Sequence, residues 1–433
     1  MFARIKKFPL VRAFYKLPGF VWFYHFLWAW SSAALYGYPS RHIFVIGVTG
    51  TKGKTTVIEL LSAILEAAGK KTAILSSLRM KIAENSEKNR SGNTMPGRFY
   101  IQRFLRRAIK AGCNYALVEV TSQGVALNRH RFINWNMGVL TNLHPEHIES
   151  HGSFEKYRKA KLRFLRYVTA RRGKIFLNKE DESAKFFSDR LIVFNPTLYS
   201  RKSDEVLHAM PSDLQLRGAI DEHAFVWSDF NRDNAAAAIA VALKLGIDIK
   251  TIAQALQNFR GVPGRMEFIR RGGITAVVDY AHTPQSLEAV YKTLRAINSK
   301  SETLNSKLIC VLGSAGGGRD KWKRPEMGKI TAEYCDEIIL TSEDPYDENP
   351  AEIAKEIEAE FLDVPNSKFQ TPNSYRTILD RREAINKAVD LARGGDTVVI
   401  TGIGSQEFMH FASGKRIPWN ERKIVEDALA RKR

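Results

Sequence analysis

The stretch of residues 46–56 constrains the fold of this chain more than any other part of its sequence. It reads Ile-Gly-Val-Thr-Gly-Thr-Lys-Gly-Lys-Thr-Thr and continues a hydrophobic run, residues 42–48, that is typical of a buried strand. A glycine-rich loop between a strand and a helix turns successive backbone N–H groups toward one point, where the helix N-terminus adds positive potential. Phosphate is the natural occupant of such a loop, so the sequence predicts a nucleotide site.

The loop differs in spacing from the standard P-loop, because the position five residues before Gly53 is Val48 and not glycine. Its context nevertheless favours a strand–loop–helix unit. Apolar residues recur after Lys54 at helical spacing, and Gly69 follows them as a helix C-cap. In such a unit Lys54 reaches the outer phosphates and the Thr55 hydroxyl is a ligand for Mg²⁺.

Length and composition indicate a soluble globular protein of two or three domains, with 433 residues, 44% hydrophobic and 26% charged. The three cysteines, Cys113, Cys310 and Cys335, lack paired spacing. They predict neither a disulfide framework nor a zinc site, and they favour a reducing compartment.

The formal charge of +20 is compatible with nucleic acid, anionic lipid or phosphorylated substrates as partners. The basic residues are scattered and form no recognised nucleic-acid module, so no nucleic-acid partner is expected.

The first forty residues form a basic and aromatic segment. Residues 1–16 carry five basic and no acidic residues, and residues 17–40 carry no charged side chain but many aromatic ones. The run is marginal for a membrane span, which needs about 20 apolar residues. Three interpretations remain open: contact with a membrane surface, packing onto the following domain, and a true span.

Two series of strand-like runs alternate with helical ones, which is the pattern of mostly parallel α/β sheets. The sequence therefore predicts an α/β protein with a P-loop parallel-sheet ATPase domain followed by a smaller Rossmann-like domain. The expected divisions are residues 1–40, 41–260 and 261–433, with a hinge at residues 261–264. Strands are expected at residues 42–48, 72–77, 115–120, 137–143, 174–177 and 191–194, and then at 274–280, 308–312, 337–340 and 397–401. Residues 231–245 are expected to form a helix and residues 84–93 and 299–306 to form loops.

Polar side chains end several of these strands. Glu119 ends one beside the P-loop strand, where a Mg²⁺ ligand belongs, and His147 follows another. The first strand of the second domain ends in the run Asp-Tyr-Ala-His-Thr-Pro (279–284), which contains Asp279 and His282. A second glycine-rich turn, residues 313–320, precedes basic residues that suit an anionic ligand: Lys321, Lys323 and Arg324.

Taken together and in order, these motifs resemble those of the Mur ligases, ATP-dependent enzymes that add amino acids to the peptidoglycan precursor. The likeness is strongest to the branch that adds the third residue, and it extends from Thr49 to Pro418. The motifs that carry it are Thr-Gly-Thr-Lys-Gly-Lys-Thr-Thr (49–56), Glu-Val-Thr-Ser-Gln-Gly (119–124), Thr-Asn-Leu-His-Pro-Glu-His-Ile-Glu-Ser-His-Gly (141–152), Asn231 with Asn234, Gly-Arg-Met-Glu (264–267), Asp-Tyr-Ala-His-Thr-Pro (279–284) and Gly-Gly-Arg-Asp-Lys-Trp-Lys-Arg-Pro-Glu-Met-Gly (317–328).

The resemblance implies a role for each matching position. Catalytic roles fall to Lys54, Lys161 and His282. Nucleotide contacts fall to Gly50, Thr51, Lys52, Gly53, Lys54, Thr55, Thr56, Asn231, Asn234, Arg265 and Asp279, some of them across an interdomain cleft. Metal ligation falls to Thr55, Glu119, His147 and Lys161, the last as a carbamate that supports the second of two Mg²⁺ ions. Contacts to the muramoyl peptide fall to Thr94, Ser122 and Arg129, and contacts to the incoming amino acid to Arg319, Asp344 and Gln406.

The implied reaction uses ATP to convert an acceptor carboxylate into an acyl phosphate, which the amine of the amino acid then attacks. Domain closure would exclude the water that hydrolyses such an intermediate. The expected partners are a muramoyl-peptide nucleotide or a lipid-linked precursor and an amino acid, with the membrane surface as a further partner of residues 1–40. The expected location is the cytoplasm, including the inner face of the membrane.

The sequence departs from the family pattern in two places. The usual N-terminal domain that holds the uridine nucleotide has no counterpart before residue 41, so either the nucleotide end is held differently or the acceptor differs. Where members that add diaminopimelate carry Asp-Asn-Pro-Arg, this chain carries Glu-Asp-Pro-Tyr (343–346), and Gln406 replaces a glutamate. Both changes argue against diaminopimelate, and they leave the amino acid open.

Two other readings stay open at this point. One is a related ligase with another acceptor, such as a folylpolyglutamate-synthase-like enzyme. The other is a non-catalytic, membrane-associated ATP-binding protein, although the presence of Lys54, Glu119, His147, Lys161 and His282 together speaks against it.

Overall fold

The computed structural model describes residues 19–89, 91, 93–146, 148–210, 228–299, 306–361 and 375–432. These residues group into two compact units. The first comprises the described parts of Met1–Pro145, Ser153–Pro211 and Asp229–Asn258, and the second those of Glu146–Gly152, Ser212–Ser228 and Phe259–Arg433.

The first unit is built on an eight-stranded sheet with the order β4-β3-β2-β5-β1-β6-β7-β8. Five neighbouring pairs are parallel, and a hairpin of β3 and β4 adds two antiparallel strands at one edge. The strands are β1 (Phe44–Thr49), β2 (Thr72–Leu75), β3 (Arg79–Ile82), β4 (Asn85–Lys88), β5 (Tyr115–Glu119), β6 (Trp135–Leu140), β7 (Lys174–Asn178) and β8 (Thr197–Tyr199).

Strands β5, β1 and β6 lie side by side at the centre, so the loops that follow them leave the sheet at one shared edge. Strand β1 is buried along nearly its whole length, as expected for a strand covered on both faces. The helices that accompany this sheet are α1 (Phe20–Leu35), α2 (Lys54–Ala67), α3 (Arg98–Lys110), α4 (Ser122–Ala126), α6 (Phe154–Thr169), α7 (Ala184–Leu191), α8 (Asp204–Ala209), α9 (Asp229–Lys244) and α10 (Ile249–Gln257); α5 (Ile148–His151) groups with the second unit.

Helix α1 packs on the first unit through Ala29, Ser32 and Ala33, which are buried. The described part of the chain contains no helix long and apolar enough to cross a membrane.

The second unit contains a six-stranded sheet with the order β13-β12-β11-β14-β10-β9, in which only β9 is antiparallel to its neighbour. A separate two-stranded ribbon joins β15 to β16. The strands are β9 (Glu267–Arg271), β10 (Ile274–Asp279), β11 (Leu308–Leu312), β12 (Glu337–Leu340), β13 (Arg376–Thr377), β14 (Thr397–Thr401), β15 (Phe408–His410) and β16 (Arg416–Pro418). The helices are α11 (Pro284–Asn298), α12 (Lys323–Tyr334), α13 (Pro350–Glu358), α14 (Arg381–Leu391) and α15 (Glu421–Arg431).

The predicted fold class is confirmed: a large, mostly parallel sheet unit precedes a smaller α/β unit. Strands β11, β12 and β14 have the expected bounds. The strand expected at residues 191–194 is wrong, because this segment ends α7 and continues as a 3₁₀ turn, Ile192–Phe194, while the strand forms at Thr197–Tyr199. The loop expected at residues 84–93 is partly wrong, since Asn85–Lys88 forms β4 with four exposed residues and so lacks the apolar alternation of a buried strand.

The cysteine prediction needs a correction. Cys310 on β11 and Cys335 at the end of α12 form a disulfide, with Cα atoms 6.1 Å apart. Cys113 is free and buried. Two cysteines 25 residues apart show no pattern in sequence, and it is the return of α12 alongside β11 that brings them together.

A buried ion pair gives the second unit its most testable energetic feature. Arg381 and Glu421 are both fully buried, and the guanidinium Nε donates to the carboxylate at 3.1 Å. The same arginine donates to the Thr401 carbonyl at 2.7 Å, and the Trp419 indole donates to Glu421 at 2.6 Å. Helices α14 and α15 and the end of β14 are thereby joined.

We expect Glu421→Ala to lower the free energy of unfolding by about 3–5 kcal/mol, because it leaves a buried guanidinium without its carboxylate. The double variant Arg381→Leu/Glu421→Leu should lose less unfolding free energy than Arg381→Leu and Glu421→Leu lose in sum. Urea denaturation monitored by circular dichroism measures both. A loss below about 1 kcal/mol for Glu421→Ala would contradict this account of the pair.

Candidate functional site

The P-loop brings two lysine ammonium groups to one backbone oxygen. Lys54 Nζ donates to the carbonyl oxygens of Gly50 and Thr51 at 3.0 and 2.9 Å. Lys161 Nζ, on α6, donates to the same Gly50 oxygen at 2.8 Å, and this lysine is only 1% exposed. Two cations directed at one acceptor create a strongly positive point, which suits a polyanion such as a nucleotide phosphate chain.

Close packing fixes the path of the loop. Gly53 begins α2 with φ +80°, and a side chain there would meet the Asn234 amide oxygen at 2.1 Å. At Gly50, with φ +149°, a side chain would collide in the same way with the Thr141 hydroxyl. Only glycine meets both demands at these positions. The Lys52 N–H donates to the Asn142 amide oxygen at 2.9 Å, so the loop after β6 supports the P-loop from the side.

Of the residues expected to bind metal, Thr55 and Glu119 lie in direct contact in the described structure. The Thr55 hydroxyl donates to Glu119 Oε1 at 2.5 Å, and Ser77 lies beside them with its hydroxyl 3.1 Å from that of Thr55. Glu119 is 1% exposed, and no donor among the described residues reaches its Oε2 atom. An unpartnered buried carboxylate oxygen next to a threonine hydroxyl fits Mg²⁺, which prefers hard oxygen ligands.

Lys161 is held by a small network around Tyr157. Its ammonium lies 4.6 Å from the centre of the Tyr157 ring. The Tyr157 hydroxyl is 2.9 Å from the Thr51 hydroxyl, which also accepts from the His144 N–H at 3.0 Å. Tyrosine, threonine and lysine thus connect α6 to the P-loop. His147, expected as a metal ligand, lies outside the described residues.

The remaining residues of the first unit that are expected to contact the nucleotide lie on two helices and in the P-loop. Thr56 is buried in the first turn of α2, and Lys52 is half-buried in the loop. Asn231 is buried on α9, three residues before Asn234 and therefore on the same face. The structure thus places Asn234 against the P-loop and Asn231 one turn away from it.

The three residues expected to bind the muramoyl peptide are gathered around Met95. Thr94 precedes Met95 in the chain, and Met95 packs against Gly124 of α4, the helix that begins at Ser122. Arg129 donates to the Met95 carbonyl. The Arg129 Nε atom is buried without an acceptor among the described residues, and burial lowers the pKa of this guanidinium. A buried cation of this kind suits an anionic group of a ligand.

In the second unit, Asp279 organises the turn that precedes β9. Its two carboxylate oxygens accept from the N–H groups of Met266 and Ala281, both at 2.7 Å. Arg265 lies 4.2 Å from the centre of the Tyr280 ring, and burial raises the pKa of Tyr280 to about 12. Asp279 therefore fixes the backbone directly after Arg265 and directly after Tyr280.

His282 lies between two acceptors. One ring nitrogen, Nδ1, is 2.7 Å from the Tyr280 carbonyl oxygen, and Nε2 is 3.2 Å from Glu146 Oε1. A doubly protonated ring would donate to both. Glu149, in the same short segment as Glu146, accepts from the N–H groups of Asp320 and Lys321.

Arg319 and Asp344, which are expected to contact the incoming amino acid, are connected through the stacked rings of Tyr346 and His410. Arg319 donates to the Tyr346 hydroxyl at 2.9 Å, and its guanidinium lies 4.7 Å from the centre of that ring. Tyr346 stacks on His410, whose N–H donates to Asp344 at 2.8 Å. Gln406 is half-buried in the loop before β15, and its N–H donates to a backbone carbonyl of that loop at 3.2 Å. The tyrosine that replaces the expected arginine is thus used to position Arg319.

Of the three basic residues expected to suit an anionic ligand, two have acidic partners of their own, and Lys323 donates to the His282 carbonyl at 2.9 Å. Arg324 is fully buried and pairs with Glu348 at 3.1 Å and Glu356 at 2.7 Å. Lys321 also pairs with Glu348, at 3.0 Å. These cations neutralise acids of their own unit, which the spacing of basic residues alone does not reveal.

Glu343 is a functional candidate that the expected site residues omit. It is 5% exposed at the carboxyl end of β12, its carboxylate lies directly against Gly402 after β14, and no donor among the described residues reaches Oε2. Burial raises its pKa to about 7. The signal in the sequence was a carboxylate three residues after the end of a buried strand. Tyr157 and Glu146 were missed as well, since only the fold brings them to Thr51 and His282.

Comparison with known proteins identifies the family of this chain. The family model of the Mur ligase middle domain matches residues 48–242, and that of the Mur ligase glutamate ligase domain matches residues 264–404. Together they cover most of the chain, and they divide near the boundary between the two compact units.

Individual relatives extend the match beyond these domains. The chain is 35% identical over 409 residues to a UDP-N-acetylmuramoyl-L-alanyl-D-glutamate–2,6-diaminopimelate ligase of Syntrophomonas wolfei, covering 92% of this chain and 80% of that protein. It is 34% identical over 422 residues to a UDP-N-acetylmuramyl-tripeptide synthetase of Roseiflexus, covering 92% and 81%. A Mycobacterium tuberculosis folylpolyglutamate synthase, solved with ADP and AMPPCP, shares the fold with a TM-score of 0.64 at 18% identity, covering 86% of this chain and 91% of that one. The chain therefore belongs to the Mur ligases, a family of ATP-dependent enzymes that form amide bonds.

Proposed function

We propose that this protein adds an amino acid to a muramoyl-peptide precursor of peptidoglycan, through an acyl phosphate formed from ATP. The observation that carries the proposal is the convergence of Lys54 and Lys161 on the Gly50 carbonyl, beside the Thr55–Glu119 pair. This arrangement supplies positive charge and hard oxygen ligands at one sheet edge, which is what phosphoryl transfer from ATP requires.

Each group of residues has a separate task in this proposal. Lys54 and the P-loop N–H groups hold the phosphates, and Asn231 and Asn234 of α9 contact the nucleotide. Arg265, Asp279 and His282, in a C-terminal domain of residues 261–433, orient the nucleotide, while residues 41–260 form the ATP-binding domain. Mg²⁺, where bound by Thr55 and Glu119 with His147, neutralises phosphate charge that would repel an attacking carboxylate.

For Lys161 we propose a carbamate. Its burial against Tyr157 and its position next to the P-loop support the idea that a negative group here would serve a second Mg²⁺ ion. A carbamate replaces a buried cation by a carboxylate-like anion, and it thereby relieves the repulsion between two ammonium groups that share Gly50 as acceptor.

The proposed acceptor is a muramoyl dipeptide, contacted by Thr94, Ser122 and Arg129. The Syntrophomonas and Roseiflexus relatives carry the names of third-residue ligases, which supports an acceptor of this class. A uridine-nucleotide form and a lipid-linked form share the muramoyl peptide that these residues would contact. We place the reaction in the cytoplasm, where a lipid-linked acceptor would bring it to the inner face of the membrane.

We propose that the incoming amino acid is not diaminopimelate. Tyr346 stands where an arginine would clamp a distal carboxylate, and its hydroxyl is bound to Arg319. Glu343, with its buried Oε2 atom, offers an acceptor to an ammonium group, and Arg319 and Gln406 complete the polar set.

We expect ADP release from ATP to require both UDP-N-acetylmuramoyl dipeptide and one amino acid of a tested panel. Lys54→Ala should lower kcat at least ~100-fold, because the transferred phosphate loses its main cation, and Lys70→Ala, at an exposed position just after α2, serves as the control. A coupled ADP assay with product mass determined by mass spectrometry measures this. Release that needs no acceptor would remove the ligase proposal, and release with another acceptor class would change the substrate.

Substituting the buried lysine tests the metal-support role. We expect Lys161→Ala to lose activity by at least ~100-fold and to regain part of it with acetate or formate, since a short carboxylate can occupy the site of the carbamate. Lys159→Ala, on the same helix but in an exposed position, should retain activity. Full activity of Lys161→Ala without added acid would contradict the carbamate.

The raised pKa of Glu343 predicts a pH-dependent stability. The folded protein binds this proton up to about pH 7, whereas the unfolded chain releases it near 4.5. Stability therefore falls as pH rises through this window, and Glu343→Gln should gain about 2–3 kcal/mol over the wild type between about pH 5 and 8. The same variant should raise KM for the amino acid if Glu343 binds its ammonium group.

Glu348→Gln is the control for the pH series. Burial raises the pKa of Glu348, but hydrogen bonds from the Gly318 N–H, Lys321 and Arg324 outweigh this effect and lower it to about 2. The difference between this variant and the wild type should stay constant from about pH 5 to 8, because Glu348 is ionised in both states there. If the stability difference between Glu343→Gln and the wild type is also constant with pH, the raised pKa of Glu343 is contradicted.

A further inference from the structure

Helix α1 is apolar on all sides, yet half of it faces solvent. Residues 20–35 contain no charged side chain apart from the titratable His25, and aromatic residues occupy every part of the helix surface. A helix of this kind in a globular protein is normally buried completely or in contact with a membrane. From this exposure and the charge beside it, we infer that α1 docks the protein on the surface of an anionic lipid bilayer, an interaction that goes beyond the proposed ligase reaction and does not depend on it.

The exposed side of α1 carries large apolar side chains, which we call the aromatic face: Trp22, Phe23, Leu27 and Trp30. Between 42% and 52% of each is exposed. At about 100° per residue Phe23, Leu27 and Trp30 lie within about 60° of the helix circumference, and Trp22 widens the arc to about 140°. Exposed apolar surface of this extent marks an interaction site, and tryptophan is favoured at the headgroup level of a bilayer.

Other contacts fix α1 on the first unit. Phe26 contacts Phe132 with ring centres 5.1 Å apart, and Trp28 contacts Phe99 at the start of α3 at 5.4 Å. The Asn128 side chain donates to the Trp22 carbonyl at 3.3 Å. Because these contacts hold the helix on the protein, its aromatic face is presented as a rigid surface that needs no further ordering to bind.

The neighbouring charge is of one sign. Helix α3, which packs beside α1, exposes four cations that have no carboxylate partner within the described part of the chain: Arg103, Arg106, Arg107 and Lys110. Arg131 lies 5.4 Å from the centre of the Trp22 ring. In sequence, α1 follows a segment with five basic and no acidic residues. A lipid surface with anionic headgroups above an apolar layer is complementary to both features.

A bilayer fits these features better than a second copy of this chain. Two copies joined through the aromatic face would bring their basic helices toward each other, at an electrostatic cost. The described helix of 16 residues is about 24 Å long, against a hydrocarbon core of about 30 Å, which suits contact along the surface. The helix therefore lies along the surface, with its aromatic face toward the lipid.

The test is flotation of the full-length protein with vesicles of phosphatidylcholine alone or mixed with phosphatidylglycerol. We expect binding to the mixed vesicles that weakens with added salt. The variant Trp22→Ser/Phe23→Ser/Trp30→Ser should bind at least about tenfold less. Arg106→Gln/Arg107→Gln should lose binding by about fivefold per charge, since each basic residue near an anionic surface contributes about 1 kcal/mol.

A matched control exists on the same unit. The variant Ile192→Ser/Val193→Ser/Phe194→Ser also removes three exposed apolar side chains and should bind vesicles as the wild type does. Thermal melting and ADP release are measured for all variants, so that loss of folding or of ligase activity is seen separately from loss of lipid binding. Unchanged flotation of the Trp22 triple variant would overturn the inference. Equal binding to neutral and anionic vesicles would also overturn it. So would sedimentation velocity that shows a wild-type dimer and a monomeric triple variant, if the wild type does not bind vesicles.

Discussion

The shared use of the Gly50 carbonyl by Lys54 and Lys161 is the interaction on which the nucleotide end of the first unit depends. One lysine comes from the P-loop helix and the other from α6, in a distant part of the chain, and both reach a single oxygen at 2.8–3.0 Å. Two like charges brought this close are tolerable only where an anion is to be bound or where one of them is to be modified. The rest of the site follows from this, because Thr141, Asn142, Tyr157 and Asn234 all serve to hold the loop that carries Gly50.

The topology of both sheets explains why chemistry-bearing side chains gather where they do. In the first unit, β5, β1 and β6 are neighbours, and their carboxyl ends deliver Glu119, the P-loop and Thr141 to one edge. In the second unit, β10 and β12 deliver Asp279 and Glu343 in the same way, with the loop after β14 meeting Glu343 at Gly402. Each unit uses the usual ligand-binding edge of a parallel sheet.

Sequence reasoning succeeded where local pattern and chemistry coincide. The strand, loop and helix around Lys54 were predictable because glycine spacing, apolar periodicity and a C-cap glycine all indicate the same unit. It failed where distant segments meet. The Cys310–Cys335 disulfide, the Tyr157–Thr51 hydrogen bond and the pairing of Arg324 with Glu348 arise only from packing, and no spacing in the chain encodes them. Strand β4 was missed for another reason, since its four residues are exposed and carry no apolar alternation.

The central claim is that the acceptor carboxylate attacks ATP at this P-loop before the amide forms. Its most direct test is isotope transfer, with an acceptor whose reacting carboxyl group carries ¹⁸O in both oxygens. If an acyl phosphate forms, one labelled oxygen leaves with each phosphate when the amine attacks, and mass spectrometry finds one ¹⁸O in the phosphate for every amide made. Unlabelled phosphate alongside amide product would show that the carboxylate never received the phosphoryl group, and it would contradict the account.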